Sequence, residues 1–413
     1  MSNPQRVELR HGDCIELMRQ LPDNLIDSIV TDPPYGLEFM GKEWDAPWKS
    51  EASHAEARIR RASEMTTESK RRFIAAGVNK YEAGTGFQAW FTEVATEALR
   101  VLKPGGHLLA FGGTRTYHRL AVAIEDAGFE IRDSMIWLYG SGFPKSHDVS
   151  KGIDKVAGAK REVIGTKPYT VQDIRNNAWE SEIAKTRQRL ELDITAPATP
   201  AAQQWSGWGT ALKPAHEPIV VARKPLIGTV AENVLEWGVG AMNIDGCRIG
   251  NEQTKTTVKD LSQAHGNKFG IGGIKYPKIG EKINPPGRWP ANVVLSHTVF
   301  CDDTCAEGCP VAELDKQNEG ASRFFYVAKA SKRERPKVDG VAHPTVKPLA
   351  LMRWLVRLVT PPNGTVLEPF AGSGTTVEAA LLEGFSVLAF EKTADYLPLI
   401  RERVRRTDTG VTN

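Results

Sequence analysis

The chain has 413 residues, 41% hydrophobic and 25% charged, which suffices for the core of one large or two ordinary domains and indicates a soluble globular protein. Its formal net charge of +3 is nearly neutral, so any nucleic-acid contact must come from a local basic face, and an odd count of five cysteines argues against a disulfide framework. The sequence has neither an 18-residue apolar run nor an apolar signal core at its start, which excludes a membrane-spanning helix and predicts an intracellular, cytoplasmic protein.

The first predicted unit is a strand, a helix and a second strand. Val7–Arg10 has the composition of a strand, Cys14–Gln20 that of a helix, and Ile26–Thr31 is an apolar run typical of a buried strand. The tetrapeptide Asp32-Pro33-Pro34-Tyr35 follows this run directly. Open α/β sheets carry their chemistry at the carboxyl ends of strands, so this loop is a candidate catalytic loop.

The composition of that loop suits it to hold an amino group. Two prolines fix two φ angles and remove two backbone donors, which leaves the Asp32 carboxylate and backbone carbonyls as acceptors for one –NH2. The motif alone is also compatible with a proline-rich turn after a strand. Two aromatic residues just beyond Tyr35, Phe39 and Trp44, are candidates to line a pocket or to fill a gap beside this loop.

A polar stretch and then an amphipathic helix follow the Asp32 loop. Residues 45–86 hold few large apolar side chains, which predicts an exposed helix or a mobile flap beside the candidate loop. From Phe87 the apolar residues recur at helical spacing, and Lys103-Pro104-Gly105-Gly106 stops that helix before a strand at His107–Phe111.

A further helix and strand complete the first half of the predicted sheet. Tyr117–Ala127 is predicted to be helical and Ile131–Tyr139 to be a strand, with which Pro218–Ala222 pairs in a closing hairpin. Residues 150–205 are then an insertion, and 206–226 close the core.

Residues 227–341 have a different texture, rich in Gly, Pro, Asn and Lys, with only short apolar pieces. This texture predicts a loop-rich recognition domain. Its basic run from Lys329 to Lys337 is either a solvated face or a set of phosphate contacts. Five tryptophans occur in the inserted half, and core packing is expected for most of them: Trp179, Trp205, Trp208, Trp237 and Trp289.

A cysteine cluster, Cys301, Cys305 and Cys309, follows His297 within that segment. The spacing allows a zinc site, but structural zinc sites usually contain a tighter pair with two intervening residues. The same steps would also place buried thiols along one helix face. No metal ligand is therefore assigned, and whether the three cysteines bind metal is left open.

A second loop near the C-terminal end reads as strand, glycine-rich turn and helix. It runs from Thr365 through Phe370-Ala371-Gly372-Ser373-Gly374 to Thr375-Thr376 and a helix. Glycines let a ligand approach the backbone, but the lysine of a nucleoside triphosphate loop is missing. The strand Ser386–Phe390 follows and ends at Glu391, where an acidic side chain meets ribose hydroxyls in nucleotide-type folds. The predicted ligand carries a ribose and no phosphates.

Together the two loops resemble those of the amino-methyltransferases of DNA, whose catalytic motif is Asp-Pro-Pro-Tyr and whose cofactor loop is Phe-x-Gly-x-Gly. His343–Pro348 is similar to the family's His-Pro-Thr-Gln-Lys-Pro segment, with Val346 in place of Gln. Gly12-Asp13-Cys14 is similar to the segment whose Asp holds the cofactor's adenine. The catalytic loop precedes the cofactor loop, an order that resembles the family's β group.

The resemblance implies a Rossmann-like α/β fold, a doubly wound mixed sheet that is circularly permuted and carries an inserted DNA target-recognition domain. We therefore expect residues 1–149 to form the catalytic half of the core, 150–205 an insertion and 206–226 a closing hairpin. Residues 227–341 are expected to form the recognition domain and 342–413 the cofactor half.

The resemblance also implies an activity: transfer of methyl from S-adenosyl-L-methionine to adenine N6 in double-stranded DNA. Cytosine N4 methylation and a catalytically silent DNA-binding module are the alternatives, and Asp at position 32 favours adenine. The oligomeric state is left open, a homodimer included, and no nuclease partner or membrane is implied. The catalytic residues implied are Asp32, Pro33, Pro34 and Tyr35. The cofactor-binding residues implied are Asp13, Cys14, Thr345, Lys347, Glu368, Phe370, Gly372, Ser373, Gly374, Thr375, Thr376 and Glu391. By the same resemblance, the methionine end of the cofactor is held by Ser373, Thr375, Thr376 and Thr345, with Lys347.

Overall fold

The computed structural model divides the chain into two compact units, Met1–Gly140 with Glu217–Asn413, and Ser141–His216. Several predictions fall on residues outside the described ranges: the polar segment up to residue 77, Phe39, Trp44, Trp179 and most of the basic run that ends at Lys337. The ranges described are 7–36, 78–139, 146–168, 191–253, 255–259, 278–298, 301, 304–306, 309–328, 334, 336–338 and 340–408.

The larger unit is built on a nine-stranded sheet. In their order across the sheet, the strands are β1 (Val7–His11), β15 (Ser386–Glu391), β14 (Thr365–Glu368), β2 (Ile26–Thr31), β3 (Leu102–Phe111), β7 (His216–Arg223), β4 (Glu130–Leu138), β10 (Val293–Ser296) and β11 (Tyr326–Ala328). The first five strands in this order, β1, β15, β14, β2 and β3, are parallel to their neighbours. Strands β4, β10 and β11 are also parallel to one another, whereas β7 runs antiparallel to β3. The predicted mixed sheet is thus confirmed, and β7 lies beside β4 as predicted.

Helices cover both faces of this sheet. They are α1 (Cys14–Arg19), α2 (Val78–Val101), α3 (Tyr117–Asp126), α6 (Val230–Trp237), α7 (Pro310–Gln317), α8 (Leu349–Val359), α9 (Thr375–Leu382) and α10 (Leu397–Asp408). Neighbouring strand residues belong to different apolar clusters: Ile29 packs with residues of α1 and α2, and Val30 with residues of α8 and α9. Alternation of this kind is expected of a strand buried on both faces, and it confirms the doubly wound arrangement.

The predicted helix stop at Lys103–Gly106 lies within β3, where it interrupts the pairing with β2. Ile26 pairs with Leu102, but Ser28 pairs with His107, so these four residues bulge out of register. Gly105 has a φ of +81°, and a Cβ there would come within 2.4 Å of Asn233 Nδ2. The Pro-Gly-Gly signal therefore marks a real irregularity, although the strand begins before it.

The predicted boundaries of the inserted regions differ from the compact units. Residues 227–341 belong to the larger unit, and two of their short apolar pieces, β10 and β11, extend its sheet beyond β4. Val294 is fully buried there, which explains why these pieces join the core. The smaller unit spans Ser141–His216, so it begins earlier and ends later than the predicted insertion.

The smaller unit contains α4 (Val149–Val156), α5 (Pro200–Gln204) and a hairpin of β5 (Val163–Pro168) with β6 (Glu191–Thr195). The buried Asp154 carboxylate organises it, accepting hydrogen bonds from Arg161 Nη1 at 2.6 Å and Thr199 Oγ1 at 2.8 Å.

Two further hairpins lie in the larger unit: β8 (Lys255–Lys259) with β9 (Lys278–Ile283), and β12 (Lys337–Val338) with β13 (Val341–Ala342). No helix in the described ranges is long and apolar enough to cross a membrane.

Core packing is the wrong prediction for three of the five tryptophans named above. Trp205, Trp208 and Trp289 have 40%, 59% and 65% of their surface exposed, respectively. Trp205 and Trp208 lie edge to face in the smaller unit, with ring centroids 4.9 Å apart. These rings therefore contribute to the surface of the protein.

Candidate functional site

The Asp32 loop lies where β2 leaves the sheet. All six residues of β2 are buried, so the strand holds the start of the loop rigidly. Asp32 Oδ2 accepts a hydrogen bond from Lys347 Nζ at 2.6 Å. Asp32 Oδ1 is also buried, but it has no hydrogen-bond partner among the described residues. A buried acceptor without a partner costs free energy in the folded protein, which makes this oxygen the point where a donor from outside would bind.

Lys347 is the centre of the pocket behind this loop. Its Nζ contacts Glu217 Oε2 at 3.1 Å as well as Asp32, and it lies 4.9 Å from the centre of the Phe111 ring and 5.9 Å from that of Trp137. Burial alone would lower the pKa of Lys347, but the Asp32 and Glu217 carboxylates outweigh it and raise the pKa above its ordinary value. The lysine therefore stays charged and fixes the orientation of the Asp32 carboxylate.

Tyr35 is fixed at both ends. Its hydroxyl donates to Glu217 Oε2 at 2.8 Å, and its backbone carbonyl accepts a hydrogen bond from Thr116 Oγ1 at 2.6 Å. A Cβ on Gly113 would come within 3.1 Å of the ring, so a larger residue there would crowd Tyr35. Burial raises the pKa of Tyr35 well above its usual value, and Asp32 and Glu217 raise it further. The phenol therefore remains a neutral donor.

Among the described residues, the charges of this pocket do not cancel. The carboxylates of Asp32 and Glu217 both contact one ammonium, that of Lys347. A pocket with this balance favours a group that becomes positive, since fixed charges act strongly where water is excluded. A nitrogen that gains a methyl group is one such centre.

Glu217 is the functional residue that the sequence analysis did not find. It stands at the start of β7, beside Pro218, and reaches Tyr35, which lies 182 positions earlier in the chain. The sequence does show a charged residue just before the apolar run Ile219–Ala222. In the antiparallel pairing of β7 with β3, the start of this run lies beside the end of β3. Sequence spacing gave no reason to pair it with Tyr35.

The glycine loop forms the second part of the site, between β14 and α9. Gly372 and Gly374 have φ values of +51° and +81°, which favour glycine. A Cβ on Gly372 would lie 3.1 Å from His343 Nε2, and one on Gly374 would lie 3.0 Å from the backbone of Ile400. Ser373 Oγ and Thr375 Oγ1 are 3.1 Å apart at the N-terminus of α9. The loop therefore forms a narrow cradle whose backbone a ligand can reach.

Glu391 closes the glycine loop from the neighbouring strand. Its two carboxylate oxygens accept hydrogen bonds from the backbone N–H groups of Gly372 and Thr393, each at 2.7 Å. Burial raises the pKa of Glu391, and these hydrogen bonds oppose that rise. Each carboxylate oxygen has a second lone pair, so the group can hold the loop and still accept a ligand hydroxyl.

Asp13 reaches the same edge of the sheet from β1. This strand pairs with β15, so that His11 faces Glu391. Asp13 Oδ1 caps α1 through the Ile15 N–H at 3.0 Å, and its Oδ2 lies 3.2 Å from Lys392 Nζ. The predicted adenine and ribose residues are thus neighbours in the structure.

Glu368 links the two loops. Its Oε1 accepts hydrogen bonds from Thr31 Oγ1 at 2.5 Å and from the Phe370 N–H at 3.0 Å, and its Oε2 accepts one from Thr376 Oγ1 at 2.5 Å. Burial raises the pKa of Glu368 to about 8 against the effect of these donors, and Asp32 contributes to the rise. With every oxygen bonded to protein, Glu368 acts as a brace between β2 and β14.

The remaining predicted residues divide between this site and the core. Phe370 packs against Trp90 with ring centroids 5.8 Å apart, and Thr345 is exposed beside His343. Cys14 is buried in the core, and its burial raises the pKa of the thiol to about 12. Lys347 was expected with Thr345 at the methionine end of the cofactor, but the structure places its ammonium against Asp32.

Comparison with known proteins gives a match over most of the chain. The family model described as DNA methylase, for N6/N4 methyltransferases, matches residues 26–402. The type II methyltransferase M.HindIII of Haemophilus influenzae is 24% identical over 390 residues, which cover 92% of this chain and 90% of that protein. The type II methyltransferase M.BamHI of Bacillus amyloliquefaciens is 30% identical over 104 residues, 25% of this chain and 17% of that protein.

Solved structures also align along most of the chain, at low TM-scores. The PvuII DNA methyltransferase, which is cytosine-N4-specific, is 14% identical with a TM-score of 0.43 and covers 99% of this chain and 97% of its own. A protein of Thermus thermophilus in complex with S-adenosyl-L-methionine is 16% identical with a TM-score of 0.40 and covers 97% and 94%. The fold assignment rests on the sheet topology, not on these superpositions.

Proposed function

The chain belongs to the DNA methylase family of N6/N4 methyltransferases, and from that membership and its pocket we propose that it methylates adenine N6 in double-stranded DNA, using S-adenosyl-L-methionine. The observation that carries the proposal is the buried Asp32 Oδ1, an acceptor without a partner among the described residues at the carboxyl end of β2. An exocyclic amino group is the donor that this oxygen suits.

The chemistry required is activation of a poor nucleophile. The lone pair of an exocyclic amino group is delocalised into the ring, so acceptors must draw the two N–H bonds into a geometry that frees it. Asp32 Oδ1 accepts one N–H and the Pro33 carbonyl the other, which aims the lone pair at the methyl donor. The excess negative charge of Asp32 and Glu217 over Lys347 stabilises the nitrogen as it becomes cationic.

Tyr35 supplies an aromatic surface for the base. Glu217 and Lys347 hold its hydroxyl at 2.8 and 3.1 Å, so its ring is set before substrate binds. A duplex hides the amino group, and the target nucleotide must therefore rotate out at a cost of a few kcal/mol. A fixed ring offers stacking in exchange for the stacking lost.

The glycine loop fits the cofactor. Gly372 and Gly374 leave a narrow backbone cradle, with the Ser373 and Thr375 hydroxyls at the N-terminus of α9. Glu391 would accept from the ribose hydroxyls and Asp13 from the adenine amino group, while Thr345, Thr376 and Phe370 line the remaining space. When bound, S-adenosyl-L-methionine supplies an electrophilic methyl on a sulfonium.

No thiol takes part in this reaction. Cys14 is close to the Asp32 loop in sequence, but it is buried and its pKa is raised to about 12 by burial, so it does not form a thiolate nucleophile. The proposal therefore involves direct transfer without a covalent enzyme–base adduct.

The alternative within the same chemistry is cytosine N4, because Asp32 Oδ1 would accept from either amino group. The aspartate at position 32 favours adenine through the family resemblance. Digestion of DNA methylated by the protein, followed by mass analysis of nucleosides, separates N6-methyladenine from N4-methylcytosine. N4-methylcytosine alone would overturn the adenine assignment. If neither product forms, the result would favour a silent DNA-binding module.

We propose that residues 227–341 recognise the target sequence, and the β8–β9 hairpin within them is basic. Lys255, Lys259, Lys278 and Lys282 lie on its two strands. Phosphate contacts by lysines strengthen binding for all sequences and steepen its salt dependence. A Lys255→Ala, Lys282→Ala double variant is therefore expected to bind duplex DNA more weakly and with a shallower salt slope. A slope parallel to that of the wild type would exclude these cations from the interface.

A further inference from the structure

Four metal-ligating side chains converge near the far edge of the sheet from the glycine loop. His297 directly follows β10, and Cys309 is the cap residue of α7. The ligand atoms of His297, Cys301, Cys305 and Cys309 all lie within 4.8 Å of one another. His297 Nδ1 is 3.4 Å from both Cys305 Sγ and Cys309 Sγ.

The two 3.4 Å separations are close to the edges of a tetrahedral zinc site, and the other ligand atoms lie within about an ångström of that geometry. With Zn–S near 2.3 Å and Zn–N near 2.0–2.1 Å, the edges of such a tetrahedron are about 3.5–3.8 Å. The cysteines do not follow one helix face, because His297, Cys301 and Cys305 all lie outside helices in the described residues. The helix-face interpretation of their spacing is thus wrong.

The surroundings are those of a structural metal site. Cys301 and Cys309 are buried in a small apolar cluster with Leu295 and Val311, separate from the two large clusters of the sheet. Cys301 Sγ accepts a hydrogen bond from the Ala306 N–H at 3.3 Å, a contact that stabilises a thiolate ligand. A cluster this small contributes little apolar burial, so a metal would supply much of the stability of the connection from β10 to α7.

We propose that His297, Cys301, Cys305 and Cys309 bind one zinc ion with structural function. Three thiolates and an imidazole in tetrahedral array select zinc among common cellular metals, and four protein ligands leave no open position for catalysis. Binding releases the protons of those ligands that are protonated in the metal-free protein. The inference does not depend on the proposed methylation.

The proposed zinc site is connected to the Lys347 pocket through contacts of β10. β10, which ends one residue before His297, carries Ser296, whose Oγ accepts a hydrogen bond from Trp137 Nε1 at 2.7 Å. The Trp137 ring in turn lies 5.9 Å from Lys347 Nζ. Loss of zinc is therefore expected to loosen one wall of the pocket as well as the sheet edge.

The test is metal analysis of untagged full-length protein, purified under reducing conditions with no added metal. We expect about one zinc per chain. Cys305→Ser changes the exposed ligand and is expected to lower the zinc content at least several-fold. Cys247→Ala, a buried cysteine outside the cluster, is the matched control and should retain zinc. Zinc near zero in the wild type, or a full zinc content in Cys305→Ser, would overturn the proposal.

A second measurement keeps the test decisive if Cys305→Ser does not fold. Wild-type protein grown with cobalt in place of zinc should show the strong visible absorption of tetrahedral Co²⁺ with thiolate-to-metal charge transfer, and one equivalent of zinc should abolish it. Weak octahedral absorption, or a disulfide between these cysteines in freshly purified metal-free protein, would contradict a Cys3His zinc site.

Discussion

An aspartate–lysine ion pair lies at each end of β2, and the two aspartates differ in their other hydrogen bonds. Asp27 near its start pairs with Lys103 at 2.6 Å, and Asp32 just past its end pairs with Lys347 at 2.6 Å. Asp27 uses its other oxygen to accept the Thr365 N–H at 2.7 Å, whereas Asp32 Oδ1 has no partner in the described part of the chain. The residue types and the ion-pair distances are the same at both ends, so the two carboxylates differ in the oxygen of Asp32 that has no partner among the described residues.

The position in the sheet explains the difference. Asp27 lies at the amino end of the parallel strands, where Thr365 begins β14 and supplies a backbone donor. Asp32 lies beyond their carboxyl ends, where strands diverge into loops and a ligand can enter. Glu368 and Glu391 at that same edge have both oxygens bonded to protein, whereas one oxygen of Asp32 has no partner in the described ranges.

The largest effect expected is that of Asp32→Asn. The variant keeps the shape of the side chain but loses the charge that draws on the amino group, so methyl transfer should fall by about 10²–10³-fold or more. Binding of S-adenosylhomocysteine, measured by calorimetry, should stay within a few-fold. Asp27→Asn is the control and should lower stability while leaving turnover near the wild-type value. Retained turnover in Asp32→Asn would contradict the proposed mechanism.

The next comparison is Lys347→Met against Lys103→Met. Each change removes the ammonium that pairs with an aspartate. Loss of one partner of a buried pair costs about 3–5 kcal/mol of folding stability, which applies to Lys347, whereas Lys103 is more exposed and its loss should cost less. Only Lys347→Met should also lower kcat, by about 10²-fold, because it releases the Asp32 carboxylate. Cofactor affinity should barely change. A large rise in the cofactor Kd with unchanged kcat would return Lys347 to the methionine end of the cofactor.

A smaller effect is expected from Glu391→Gln, which replaces an acceptor by an amide that cannot serve both Gly372 N–H and Thr393 N–H. Hydrogen bonds to charged groups contribute about 1.5–3 kcal/mol, so the cofactor Kd should rise about 10–100-fold. Turnover at saturating cofactor should remain within a few-fold of wild type. An unchanged Kd in equilibrium binding would rule out the assigned role.

The effect expected at Glu368 is a pH dependence of stability. Its pKa is about 8 in the folded protein, above the value of 4.5 for the exposed group, so the folded state binds the extra proton between these values. The Glu368 contribution to stability is then full below about pH 4.5 and lost as pH rises through 8. The free energy of unfolding of wild type relative to Glu368→Gln should fall by up to about 1.4 kcal/mol per pH unit across that window. Denaturant titrations giving a pH-independent difference would contradict this.

The sequence predicted the local parts of the site well and the long-range parts poorly. Ile26–Thr31 is a strand with the predicted bounds, and the glycine loop precedes a helix as predicted, because apolar runs and glycines act over a few residues. Glu217 was missed because its partner Tyr35 is 182 positions away. The order of strands across the sheet, which brings them together, is not visible in spacing.

The inserted segment shows the same limit. Val293–Ser296 and Tyr326–Ala328 are too short to display a period, so their place in the sheet follows from burial beside β4 and not from pattern. The cysteine spacing was equally uninformative, since loops without a repeat bring the thiols together.

The position of β2 in the sheet bears on how the protein is made. Its neighbour β14 comes near the end of the chain, and the hydrogen bond from Thr31 to Glu368 spans 337 positions. During synthesis, the edge of the buried strand β2 that pairs with β14 therefore stays unpaired until residues 365–391 have left the ribosome. A nascent chain that lacks them has neither the Glu368 brace nor the glycine loop, so we expect it to be inactive and to expose an unpaired strand edge.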